Sequence, residues 1–222
     1  MDALLRRRQM MLAGGTPPAP LPYTPVEYIE TDGTAYIDTG IKGNIPRSFE
    51  MRVTPMPVSS EYYFAGARVS ASLRMMALLF SADKKAGFAF NGYAYNPTSI
   101  ATSVDNRSPM DVKVHIRTGS QQIGIKQAGQ SAYTNYSQTR SLTLTTGLNI
   151  FLFTANNNGS PLTSCAGVRL HSVKIYVDST YTNLAFDGQP CLYNGEYGLW
   201  DKKTNTFFGN AAGSGAFTGP SI

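Results

Sequence analysis

The chain of 222 residues is short of the side chains from which most catalytic and metal sites are built, holding two cysteines, two histidines and one tryptophan. Cys165 and Cys191 have no metal-ligand spacing, and a chain long enough to bury a sizeable core does not need a disulfide staple. His115 and His171 each lie in a strand-like stretch near cationic rather than carboxylate residues. A Ser-His-Asp arrangement assembles across a chain, but no Gly-x-Ser-x-Gly nucleophile elbow supports one here. No glycine-rich loop ends in Gly-Lys-Ser/Thr, so nucleotide binding has no motif. Asp178, Asp187 and Asp201 lack the loop spacing of a calcium site. No cofactor or metal is therefore expected. No run approaches the roughly 20 apolar residues of a membrane span, which excludes membrane insertion by a helix. The stretch Gln9-Met10-Met11-Leu12-Ala13 before Gly14-Gly15 is shorter than the roughly 7–15 apolar residues of an export signal. Synthesis in the cytoplasm without a signal peptide is the expectation.

Charge is also sparse, at 15% of residues with a net +5. Arg6, Arg7 and Arg8 account for much of that excess, so the remaining body is only mildly basic and a nucleic-acid role has little support. What is present in quantity is glycine (21), proline (13), tyrosine (13) and phenylalanine (11). Aromatics favour pleated, half-buried surfaces, and glycine and proline punctuate them, so the composition describes many short strands joined by tight turns. Helix is expected to be scarce.

Three regions differ. Residues 1–15 form a tail in which Leu4, Leu5, Met10 and Met11 accompany Arg6, Arg7 and Arg8. These are good helix formers ended by Gly14-Gly15, but three turns are marginal alone in water and need a partner surface. An acidic groove on another subunit suits this mixture of apolar and basic side chains. Residues 16–25 hold five prolines and read as a semi-rigid linker. From residue 26 to 222 the reading is strand after strand in one domain. Val26–Glu30 and Ala35–Thr39 flank Asp32-Gly33 and read as an opening hairpin. Further candidates are Ser48–Thr54, Tyr62–Ala67, Leu73–Phe80, Gly87–Phe90, Asp111–Arg117, Gln122–Lys126, Ser141–Leu144, Asn149–Phe153, Val168–Val177, Glu196–Asp201 and Thr206–Phe208. Alternation is clearest where Val112, Val114 and Ile116 face one way and Lys113, His115 and Arg117 the other. Parity changes near Ser172, the mark of a bulge or of a strand covered on both faces.

The opening block Val26-Glu27-Tyr28-Ile29-Glu30-Thr31-Asp32-Gly33-Thr34-Ala35-Tyr36-Ile37-Asp38-Thr39-Gly40-Ile41 resembles the first hairpin of concanavalin A-like (laminin-G-like) jelly-roll proteins of gut bacteria and their phages. The closing half is similar too, in Val173-Lys174-Ile175-Tyr176-Val177, Pro190-Cys191-Leu192-Tyr193, Gly198-Leu199-Trp200-Asp201, Thr206-Phe207-Phe208 and Gly213–Gly219. The resemblance spans residues 26–219. It implies an all-β, antiparallel concanavalin A-like jelly-roll sandwich carrying a short N-terminal helical or extended tail. It also implies a carbohydrate-binding or particle-surface module rather than one activity.

Some relatives of this fold hydrolyse polysaccharides with a Glu-x-Asp-x-x-Glu strand, whose alternation sets the carboxylates on one face. Glu30-Thr31-Asp32 begins that pattern, but Ala35 stands where the second Glu belongs and the pair falls on an Asp-Gly turn. The chain is accordingly read as no enzyme. Sugar-binding candidates are Asn91, Tyr93, Tyr95 and Asn96, with the amide loop Asn156, Asn157 and Asn158, because rings stack on sugar faces and amides bond hydroxyls. Ordinary turn residues are the competing account of both. His115 is read as a solvent-facing strand residue and Trp200 as core. The leading expectation is a phage or prophage virion structural protein, whether capsid decoration, head fibre or tail module, anchored to other virion proteins by Leu4, Leu5, Arg6, Arg7, Arg8, Met10 and Met11. A homo-oligomer and a host-surface or mucus glycan are further partners on this reading. The alternatives are a cell-associated lectin-like carbohydrate-binding module and, third, a glycoside hydrolase.

Overall fold

A computed structural model describes residues 20–56, 62–80, 86–91, 93–95, 108–141, 143–162 and 168–221. The described residues contain no helix. In chain order the first strands are β1 (Thr24–Pro25), β2 (Glu30–Thr31), β3 (Ile37–Asn44), β4 (Arg47–Pro55), β5 (Tyr62–Arg68), β6 (Arg74–Phe80), β7 (Ala86–Phe90) and β8 (Tyr93–Tyr95). There follow β9 (Met110–Arg117), β10 (Ser120–Lys126), β11 (Thr134–Gln138), β12 (Thr145–Leu152), β13 (Thr154–Asn157) and β14 (Ser160–Pro161). The last are β15 (Val168–Tyr176), β16 (Leu184–Tyr193), β17 (Glu196–Asp201), β18 (Thr206–Phe208) and β19 (Phe217–Thr218).

The strands build two main sheets of an antiparallel sandwich. The larger runs β11-β10-β9-β4-β15-β16-β17-β18, with β1 added to β16. The smaller runs β14-β13-β5-β6-β7-β8, with β12 pairing both β3 and β5. A short pair, β2 with β19, joins the beginning of the domain to its end. Period-two alternation explains the packing. Phe49, Met51 and Val53 on β4, Val112, Val114 and Ile116 on β9, and Val173 and Ile175 on β15 all turn into one core. Ile37, Phe64, Met75, Phe88, Phe90 and Ile150 meet them from the smaller sheet. Opposite that core, Met76, Ala89 and Ala155 form a second, smaller buried cluster.

The expected opening hairpin does not form. Thr31–Thr34 is a turn as its Asp-Gly pair requires: Gly33 has φ +107°, and the Asp32 carboxylate accepts from the Thr34 N–H (2.9 Å) and hydroxyl (2.7 Å). Its two arms leave in different directions, Glu30–Thr31 to pair with Phe217–Thr218 and Ile37–Asn44 to pair with β12. The local turn chemistry was satisfied without making its flanks partners. Among the described residues of Ser141–Leu144 there is no strand, because pairing begins at Thr145.

Leu184–Tyr193 is a strand despite Gly188 and Pro190. A strand residue presents its N–H and C=O to the same edge. The Pro190 carbonyl accepts from the Val26 N–H at 3.0 Å, so the donor it lacks faces that edge, beyond the end of the β15 pairing at Gly188. Gly188 is needed because a Cβ there would stand 2.6 Å from the Phe186 ring and 2.9 Å from Val173. The parity change in β15 is a bulge, seen as a register shift against β4 between Leu170 and Ser172.

The proline-rich stretch is tied down at its end. Thr24 and Pro25 pair with Leu192 and Cys191, and Tyr23 stacks on Trp200 at 4.9 Å. Trp200 is buried, in a small cluster with Tyr23 and Cys191 apart from the main core. Cys191 is a free, buried thiol whose pKa burial pushes up to about 11. Cys165 lies outside the described residues.

Candidate functional site

The polar alternates of the larger sheet converge on its solvent face. Strand register sets them in rows: Lys126, Asp111, Arg52 and Ser172 face one another across β10, β9, β4 and β15, and the next row holds Gly124, Lys113, Glu50 and Lys174. A depression of about 220 Å³ opens here, lined by Glu50, Arg52, Asp111, Tyr133, Ser172 and Lys174 among others. Gly124 makes room for its wall, since a Cβ there would stand 2.5 Å from Asn135 Oδ1 and 3.4 Å from the Tyr133 ring.

The charges are engaged with one another. Asp111 accepts Arg52 on Oδ1 and Lys126 on Oδ2, both at 2.9 Å. Glu50 accepts Lys113 on Oε1 at 2.7 Å and the Tyr176 hydroxyl on Oε2 at 2.6 Å. Lys113 also lies 5.4 Å from the ring centres of Tyr133 and Tyr181, and Lys126 lies 5.3 Å from that of Tyr133. Half-exposed pairs of this kind add at most about 1 kcal/mol each to stability, so the network positions groups more than it stabilises the fold. Burial pushes both carboxyls up, but Lys113 and Tyr176 outweigh it at Glu50, and Lys126 and Arg52 do so at Asp111. Both acids are held below the ordinary carboxylate range. Burial and the Glu50 carboxylate push Tyr176 up. A pair of carboxylates that are both ionised has no proton to give a leaving group, which is what glycoside hydrolysis requires of one of them.

The residues singled out by sequence fall elsewhere. Asn91 turns the chain between β7 and β8 with φ +49°, and its amide donates to the Thr143 carbonyl at 3.0 Å. Tyr93 and Tyr95 lie on β8, which pairs with β7, and Asn96 lies outside the described residues. Asn156 is buried, donating to the Asn149 carbonyl (2.9 Å) and accepting from the Gly159 N–H (2.7 Å). Asn158, at φ +52°, donates to the Val69 carbonyl, and Asn157 is half-buried beside it on β13. The amides of Asn91, Asn156 and Asn158 thus hold turns in place. Leu4, Leu5, Arg6, Arg7, Arg8, Met10 and Met11 lie outside the described residues.

His115 is half-buried, its Nε2 3.2 Å from the Ser120 hydroxyl. His171 Nδ1 is 3.1 Å from the Glu27 carbonyl, which can only accept, so Nδ1 carries the proton and Nε2 accepts from the Thr54 hydroxyl at 2.9 Å. Burial lowers the pKa of both histidines. Glu30, the start of the broken carboxylate pattern, pairs with Arg169 at 2.7 Å. A second depression, of about 360 Å³, is lined by Glu196, Tyr197, Asn210 and Phe217 with nearby glycines. Asn210 there accepts from the Tyr36 and Ala212 N–H groups and donates to the Ser214 and Gly215 carbonyls, which makes it the organiser of its own loop.

Sequence reasoning missed the Tyr133 depression. Its residues come from three strands distant along the chain, β4, β9 and β15, and Tyr133 stands in a connection. The one signal available was the outward, polar half of each alternating strand, Lys113 included, but only register tells which of these become neighbours.

No family model and no curated protein matches the chain. Among solved structures it is similar to the enzymatically active domain of tailspike protein 2 of bacteriophage CBA120, with a TM-score of 0.49 and 13% identity over 68% of this chain and 25% of that one. It is similar to the CBM40 of the Ruminococcus gnavus IT-sialidase, with a TM-score of 0.49 and 12% identity over 70% of this chain and 92% of that one. A heptameric SAP-like pentraxin from Limulus polyphemus gives a TM-score of 0.40 and 12% identity over 75% of this chain and 76% of that one. The chain spans about a quarter of the tailspike chain that it matches. The antiparallel sandwich stands on the strand pairings themselves.

Proposed function

We propose that this chain is a non-enzymatic structural and recognition module of a phage or prophage virion, anchored by its N-terminal tail and presenting the Tyr133 depression to saccharides. The observation that carries the non-enzymatic half is the state of Glu50 and Asp111. They are the carboxylates of the depression, and each is held ionised by two partners, so neither serves as a general acid near neutral pH. A tyrosine ring beside hydrogen-bonding groups is the usual make-up of a weak sugar site, where the ring stacks and the polar groups orient. Incubation with β-glucans, galactans and host glycans is expected to release no reducing ends above background. Turnover that disappears in Glu50→Gln or Asp111→Asn would show that the site is catalytic.

The anchoring half is supported by the sequence of the tail, in which leucines and methionines accompany three arginines, a mixture that suits an acidic groove on a partner. Deleting residues 1–15 is expected to leave the sandwich folded, since its pairing starts at Thr24, and to abolish incorporation into particles. Particles that carry the truncated protein at the normal copy number would disprove the anchor, and particles that lack even the full-length chain would favour the lectin-like alternative.

A further inference from the structure

The depression is asymmetric in what it leaves unused. All four oxygens of its carboxylates are engaged: Asp111 Oδ1 and Oδ2 by Arg52 and Lys126, Glu50 Oε1 and Oε2 by Lys113 and Tyr176. Its donors are not. Arg52 commits one terminal nitrogen to Asp111 and is about half exposed, which leaves the rest of its fork open. Among the described residues the Lys174 ammonium is in no ion pair and the Ser172 hydroxyl has no hydrogen-bond partner. Register places Ser172 directly across from Arg52 and Lys174 across from Glu50, so the three open donors stand together on one side of the depression. Arg52, Lys113, Lys126 and Lys174 stand against Glu50 and Asp111, and Asp187, across from Lys174 on β16, is paired with Lys202, so cations outnumber carboxylates around the depression and the local field is positive.

A neutral sugar offers hydroxyls, which bind well only where a site supplies acceptors as well as donors. This depression has unpartnered donors to give, whereas each oxygen of its charged acceptors already receives a donor from the protein. A ligand that fits must bring the acceptors itself, as a carboxylate or sulfate does through short charge-assisted bonds. Tyr133 forms part of the lining, held by Lys113 and Lys126 from the strands below, and supplies the ring on which a pyranose stacks.

We infer that the depression recognises an acidic saccharide, with its carboxylate or sulfate on Arg52, Ser172 and Lys174 and its ring against Tyr133. This rests on the saccharide-recognition reading proposed above.

Backbone amide shifts of the full chain, titrated with tetragalacturonate and with its methyl ester, test the inference. A κ-carrageenan tetrasaccharide, whose only charged groups are sulfates, and its desulfated form make a second matched pair. The acidic member of at least one pair is expected to shift the amides of Arg52, Ser172 and Lys174, and its neutral partner to bind at least tenfold more weakly. Lys174→Gln is expected to weaken binding by about tenfold, the size of one charge-assisted bond. It removes a side chain outside every ion pair of the network, so its unliganded spectrum should match the parent. Tyr133→Ala is expected to cost about fivefold, and raising salt from 50 to 500 mM to weaken binding several-fold. Equal binding of the neutral partners at these residues, indifferent to Lys174→Gln, would overturn the acidic assignment while leaving saccharide recognition intact. Absence of binding by all four probes, or shifts confined to another face, would overturn both.

Discussion

Replacing Phe153 by alanine is expected to lower stability by about 3–5 kcal/mol, the cost of removing a fully packed phenylalanine from a core. Phe153 is 1% exposed and stands at the point where the chain changes direction against β5. Phe151 and Leu152 run antiparallel to Gly66 and Ala65, whereas Thr154–Asn157 run parallel to Ala65–Arg68. The reversal is taken up at Phe153 itself, which has φ +69°. A bulky residue in that region is disfavoured by about 1–2 kcal/mol, and the ring's contacts outweigh the cost. It meets Phe64 edge-on at 5.2 Å and Phe217 at 5.0 Å, and so links the smaller sheet to the closing strand β19. In a domain of this size each kcal/mol corresponds to roughly 2–4 °C, so the melting temperature should fall by about 10 °C. Phe153→Gly separates the two effects. Glycine adopts the left-handed conformation freely, so it should be no less stable than Phe153→Ala although it removes one more carbon. A Phe153→Ala variant melting within about 2 °C of the parent would contradict the packing argument.

The contrast between β9 and the opening segment shows where the sequence was legible. In Val112–Arg117 each apolar side chain is buried and each polar one faces outward, because the strand lies between two neighbours with one wet face, and alternation reports that situation directly. The parity change in β15 was visible for the same reason, but a bulge and a strand covered on both faces both fit it, and the register against β4 decides for the bulge. Asp32-Gly33 identified a turn, which is local chemistry, but the partners of its arms were decided by core packing over long separations, and Phe217 lies at the far end of the chain from Thr31. Thr134–Gln138 was invisible because it is an edge strand without a buried face and so has no apolar alternation to read. The depression shares that difficulty. Glu50, Arg52, Asp111, Lys113 and Lys174 each looked like an ordinary solvent-facing strand residue, and what makes them a site is a register between strands that no local pattern encodes. Asn156 erred in the other direction. An amide-rich turn suggested a sugar contact, but a buried turn must satisfy its own backbone, and Asn156 does so.

Replacing Asp201 by alanine should cost about 3 kcal/mol, although it is a carboxylate next to an exposed turn. Asp201 is 1% exposed and closes β17, where the chain turns through residues 202–205 into β18. Its Oδ1 accepts from the Asp187 N–H at 2.8 Å and the Lys203 N–H at 3.1 Å, and its Oδ2 from the Thr204 hydroxyl at 2.6 Å. The Lys202 N–H returns to the Asp187 carbonyl at 2.9 Å, so one side chain ties β16 to the turn beyond β17. The Gly198-Leu199-Trp200-Asp201 block that carried the family resemblance is therefore accounted for by architecture: Leu199 in the main core, Trp200 against Tyr23, and Asp201 as acceptor for a turn. Alanine would leave two N–H groups and a hydroxyl in partly buried surroundings without acceptors, and each orphaned group costs roughly 1–3 kcal/mol. Asp201→Asn keeps one carbonyl oxygen and should lose about 1 kcal/mol. Amide exchange at Asp187 and Lys203 should quicken in the alanine variant before the rest of the sheet opens, because local opening needs only these bonds to break. Denaturant unfolding that places Asp201→Ala within about 0.5 kcal/mol of the parent, a difference typical of an ordinary surface position, would mean that water replaces the carboxylate and that the turn does not depend on it.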